Sequence, residues 1–123
     1  MKIKSLLLPI TIIGLIGFSG CSNQLAEDVE PLASAMCKYI GIQNDLKKAV
    51  EGNDSINIHL FTAERNKLQI EMTILNREFN EKYGDKIKDQ KFGKKFKREM
   101  NKAIIDCPHL SPEDRDRIKE ELD

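Results

Sequence analysis

What this 123-residue chain lacks narrows it first. It has no Ser-His-Asp arrangement, no phosphate loop and no nucleophile elbow, so the common nucleophilic and nucleotide-dependent chemistries find no footing. Histidines number two and cysteines three. A structural zinc site takes about four nitrogen or sulfur ligands, and Cys37, Cys107 and His109 fall short of that. No metal and no cofactor is expected. His59, flanked by Asn57, Glu64 and apolar neighbours, reads as a surface or boundary residue. Charge of one sign is also missing: 20 basic residues stand against 20 acidic ones. That balance argues against a general nucleic-acid binder. No apolar run reaches membrane-spanning length, because Leu6 to Phe18 is 13 residues and a spanning helix needs about 17–25. Pro9 and the glycines make that run a poor permanent helix as well. Strand-like alternation, internal repeats and low-complexity tracts are absent from the rest.

The most informative stretch is the one carrying that short apolar run. Lys2 and Lys4 precede it and Ser19-Gly20-Cys21 follows it, giving a positive n-region, an apolar h-region and a small-residue cleavage site. A cysteine directly after such a site resembles the lipobox of bacterial lipoproteins, with Phe18 standing where that pattern usually has Leu, Val or Ala. The resemblance implies diacylation of Cys21, cleavage after Gly20 and acylation of the new amine. A plain secretory signal, with Cys21 at the cut by coincidence, is the rival reading. Two or more acyl chains anchor stably where one binds marginally, so the implied partner is a lipid bilayer. Ser22, rather than Asp, resembles the signal for passage to the outer membrane. The expected organisation is a signal peptide over 1–20, a lipidated cysteine and tether over 21–30, and a helical domain over 31–123.

Without the leader, 103 residues remain, enough for one small domain. Domains of that size often need a covalent staple. The leader holds two basic and no acidic residues, which leaves the remainder at −2. Once Cys21 is given to lipid, Cys37 and Cys107 form an even pair in an oxidising compartment, and a disulfide is expected.

Residues 22–30 read as a tether spanning at most about 30 Å. Pro31, preceded by Asp28 and Glu30, predicts a helix start. The first helix is expected to run to Glu51, its apolar stripe shifting by nearly a quarter turn at Gly41. Leu32, Ala33, Met36, Cys37 and Ile40 lie on one face, and Tyr39, Ile42, Leu46, Ala49 and Val50 on the other. Two neighbours, one per half, are implied. Asp54 or Ser55 caps a second helix that continues to Tyr83 and stops at Gly84. Leu60, Phe61, Leu68, Met72, Leu75, Phe79 and Tyr83 form its stripe. Ile56, Ile70 and Ile74 widen one flank enough for a third helix to dock there. A third helix over about 89–106 presents Phe92, Phe96, Met100, Ala103, Ile104 and Cys107, with Gly93 allowing a close backbone approach. Ser111-Pro112-Glu113-Asp114 opens a short fourth helix, whose paired acids read as solvation and dipole pairing. The fold class is therefore all-α: an antiparallel three-helix bundle with a short C-terminal fourth helix, stapled by a disulfide. Nearly heptad-spaced stripes make a coiled-coil homodimer the main alternative.

An up-down-up path can bring the cysteines together. At 1.5 Å per residue, the first helix climbs about 20 Å from Cys37, the second descends about 42 Å, and the third climbs about 26 Å to Cys107. Both sulfurs then end within about a helical turn of each other. Closing a loop of about 70 residues contributes about 4 kcal/mol in the chain-entropy relation.

Charge is segregated late in the chain. Residues 86–102 hold eight basic and two acidic residues, whereas 106–123 hold seven acidic and three basic ones. Lys91, Lys94, Lys95, Lys97, Arg98 and Lys102 could form an anion-binding face for lipid phosphates, anionic glycans or an acidic partner. A solvated face partly offset by the acidic tail is the plainer reading. Taken with the lipobox and the two cysteines of the helical region, the chain resembles small helical lipoproteins of Gram-negative bacteria. That resemblance implies a lipid-anchored envelope location. The expectation is a non-enzymatic interaction or structural module, with an unknown envelope protein or anionic ligand as partner. Roughly ninety helical residues leave little room for the concave pocket that catalysis requires.

Overall fold

The structure, a computed structural model, describes residues 21–123, and the side chains of residues 21–23 lie outside that description. So do residues 1–20, where the sequence suggests a signal peptide. Among the described residues four α-helices follow one another: α1 Cys21–Glu51, α2 Ser55–Tyr83, α3 Gln90–Ile104 and α4 Pro112–Leu122. A short 3-10 helix, Gly84–Lys88, joins α2 to α3. No strand occurs among the described residues, so the domain is all-α.

Helix α1 begins ten residues earlier than the expected start at Pro31. The segment read as a tether is helical, and Pro31 lies inside α1 rather than at its first position. Leu25 and Val29 are buried, Val29 completely, and with Leu32 they extend the apolar stripe upstream of the proline. An interior proline costs a helix about 3 kcal/mol, while fully burying a Leu or Val side chain contributes about 1.5–3 kcal/mol. Two such side chains outweigh one proline. Asp28, one turn before Pro31, adds polar contacts to α2 that a free tether could not make.

Local signals set the other boundaries as expected. Glu51 ends α1, and Asn53 takes a positive φ of 53° in the turn that follows. The Asp54 carboxylate accepts from the Asn57 backbone N–H at 3.2 Å and caps α2. Gly84, at φ 48°, closes it in a conformation that suits a residue without Cβ. Asp89 caps α3 through the Lys91 N–H. Ser111 accepts from the Asp114 N–H at 3.1 Å, with Pro112 at the first position of α4.

Helix α1 lies between its neighbours, packing along both α2 and α3, and α4 folds back on α3. The first half of α1 supplies Ala33 to a buried cluster with Ile104, Cys107 and Ile118, and Cys37, Ile40 and Met100 close round it. Its link to α2 includes Gln69 Nε2 donating to the Tyr39 hydroxyl at 3.4 Å. The Cys37–Cys107 disulfide is formed, with Cα atoms 5.7 Å apart. Arg115 donates to the Cys107 carbonyl at 2.9 Å, so α4 is held by more than Ile118 and Leu122.

Two expectations about α3 fail. It does not dock on the Ile56, Ile70 and Ile74 flank of α2, which stays exposed. Helices α2 and α3 meet through aromatic rings near the foot of α2: Phe79 on Phe96 and Tyr83 on Phe92, each pair with centroids 5.1 Å apart. Nor does Gly93 bring two backbones together, since a Cβ placed there meets no atom within 4 Å. The close approach is at Gly41 instead. The His109 ring lies against it, 2.8 Å from where a Cβ would stand.

Candidate functional site

The lysines of α3 divide by helical position. At 100° per residue, Lys91, Lys94, Lys95, Arg98 and Lys102 fall within about 100° of one another, on the face away from Phe92 and Phe96. All five are exposed. Lys97 points to the side, where its Nζ lies 3.5 Å from Glu121 on α4. There the Asn101 amide, donating at 2.8 Å, and the Lys97 charge hold the Glu121 carboxyl below its ordinary range. Lys102 pairs with Glu99 at 3.3 Å. Lys91, Lys94, Lys95 and Arg98 make no ion pair among the described residues. The fold thus trims the six-residue basic face to four free cations on one stripe. Sequence alone could not separate these, because the Lys97–Glu121 pair depends on how α4 turns back.

This stripe begins at a well-tied end of the molecule. Asp28 of α1 accepts from the Tyr83 hydroxyl at 2.5 Å, from Gln24 at 3.0 Å and from Lys82 at 2.8 Å. Burial pushes the Asp28 carboxyl up, but the hydrogen bonds from Lys82, Tyr83 and Gln24 outweigh it and leave it below the ordinary range. Burial, and then the facing carboxylate, push the Tyr83 phenol up. Tyr83 also packs on Phe92, one residue beyond Lys91. The start of α1, the foot of α2 and the start of α3 therefore share one end. Cys21 opens α1 about 10 Å of helix before Asp28.

The histidines take different places. His59 is exposed on α2. His109 covers Gly41, while its backbone carbonyl accepts from Asn44 at 3.2 Å. With Cys107 in a disulfide, a Cys107–His109 metal pair has no free thiolate. No group of three or more metal-ligating side chains converges among the described residues. A shallow groove of about 350 Å³ lies beside His109 between α1 and α2. Its rim mixes Lys38 and Lys67 with Asp45, Glu64 and Glu71, so it presents no field of one sign. No described helix is long and apolar enough to cross a membrane.

No protein-family model matches the chain, and no curated protein or solved structure matches it.

Proposed function

We propose that the protein is a lipid-anchored, non-enzymatic module of the bacterial cell envelope, held at the outer membrane by acyl chains on Cys21. Its domain is an antiparallel three-helix bundle with a short fourth helix. The basic stripe of α3 adds an electrostatic hold on anionic headgroups. One observation carries this reading: four cations without an ion pair among the described residues run along α3 from the end at which Cys21 begins α1. Lipid anchoring commonly combines acyl chains with a polybasic patch.

Mass spectrometry of the exported protein tests the anchor, and a product without acyl mass removes it. The stripe is tested separately, with a Cys21→Ser chain and vesicles of phosphatidylglycerol or phosphatidylcholine. Each surface cation contributes about 1 kcal/mol towards an anionic membrane. Changing Lys91, Lys94, Lys95 and Arg98 to Gln should weaken binding to the anionic vesicles by about a thousandfold. Binding of the unsubstituted chain should fall as salt shortens the screening length from about 8 Å to 3 Å. Equal affinity for both lipids, or indifference to the four substitutions, defeats the electrostatic part.

A further inference from the structure

Helix α2 carries a second apolar stripe, about a third of a turn round from its buried one. Ile56, Leu60, Ala63, Lys67, Ile70 and Ile74 follow one another at alternating intervals of four and three, the spacing of a coiled-coil seam. Ile56 is 80% exposed, Ile70 65%, Leu60 52% and Ile74 40%. Isolated exposed aliphatics need no explanation. Four in heptad register along one helix do.

The order of these residues is close to palindromic. Lay α2 antiparallel on a second α2 with the two-fold at the level of residue 65. Ile56 then meets Ile74, Leu60 meets Ile70, and Ala63 meets Lys67, each pair occurring twice. The small Ala63 leaves room for the lysine stem, and the Lys67 ammonium arrives beside the partner's Glu64. Parallel pairing would instead stack Lys67 on Lys67. Shape and charge thus both select the same arrangement, an isologous contact of the kind that closes two-fold dimers.

We infer that this face of α2 is a self-association surface that joins two copies of the chain through an antiparallel helix pair. Four large aliphatic side chains and a lysine stem from each copy remove on the order of 1,000 Å², the lower limit for a specific interface. The dimer is accordingly weak and reversible. For acylated copies the two Cys21 ends point apart, so both reach one bilayer with the helices lying along its surface.

Sedimentation of the full chain carrying Cys21→Ser, in mild detergent between about 1 µM and 1 mM, should show a monomer–dimer equilibrium. Ile70→Glu should raise the dissociation constant at least tenfold while leaving helicity and melting temperature unchanged, because Ile70 contributes little to the monomer. Oxidising a mixture of Ala63→Cys and Lys67→Cys chains should cross-link one to the other, and neither to itself. A monomer at every concentration, a dimer indifferent to Ile70→Glu, or self-cross-linking of Ala63→Cys chains would overturn the assignment.

Discussion

Replacing Cys37 and Cys107 together by alanine removes a cross-link between residues 70 apart in sequence. In the chain-entropy relation, a loop of that length restricts the unfolded chain by about 4 kcal/mol. A domain of this size has a total stability of about 5–15 kcal/mol, so the bond supplies a large share. Cys107 is also a member of the buried cluster with Ala33, Ile104 and Ile118, and losing its sulfur leaves a small void there. Reducing the unsubstituted protein keeps both sulfurs and isolates the cross-link from the void. At about 4–8 °C per kcal/mol, the melting temperature should fall by about 15–30 °C in either case. Urea titration adds a sharper readout, because an unfolded chain freed of its loop exposes more surface and the slope m should rise. A loss below about 1 kcal/mol, or an unchanged slope, would refute the view that the staple acts on the denatured chain.

Two glycines of ordinary helical backbone should respond in opposite directions. Gly93→Ala meets open space and should stabilise by about 0.5–1 kcal/mol. Gly41→Ala would drive a methyl into the His109 ring and disturb the Asn44 bond to that loop, costing about 1–3 kcal/mol with a displaced His109 resonance. The Asp28 carboxyl is depressed in the folded state, so its contribution is complete above the ordinary carboxylate range and is lost as pH falls through the lowered value. Tyr83→Phe should therefore cost about 1 kcal/mol at neutral pH and flatten the acid limb of a stability–pH profile, whereas an unaltered limb would mean the hydroxyl contributes nothing.

Where the chain reverses, its side chains carry local chemistry, and that made the reversals legible. Asp54 is a short acceptor standing before an apolar stripe, Ser111 is one standing before Pro112 and two acids, and Gly84 is a residue free to take positive φ. Each can be recognised without knowing the neighbours. The cysteine pairing was legible for a related reason, since helix lengths convert directly into heights. The start of α1 was not. Pro31 after Asp28 and Glu30 carries the local signature of a helix beginning, and the opposing signal, Leu25 and Val29 in phase with Leu32, acquires energy only when α1 packs on its neighbours. Gly93 and the Ile56–Ile74 flank misled in the same way. Sequence shows that a face is apolar, but which neighbour covers it depends on the path of the other helices. Helix α3 went to α1, leaving that flank of α2 open. The basic face stands between these cases. Its stripe follows from helical periodicity, while the removal of Lys97 required the return of α4.

The early start of α1 changes what an anchor at Cys21 would do. A nine-residue tether reaching about 30 Å would let the domain tumble, and its basic stripe would meet headgroups only by chance. A helix continuous from Cys21, with Val29 buried and Asp28 fastened to Tyr83 and Lys82, leaves little such freedom. Tyr83 in turn packs on Phe92, and Phe92 lies on the helix whose opposite face carries Lys91, Lys94, Lys95 and Arg98. Orientation at the Cys21 end is thereby passed through these side-chain contacts to the cations. An anchor at Cys21 and a charged face in rigid register would bind one surface as a single two-point ligand. Their free energies then combine without the ordering cost that a flexible connection imposes.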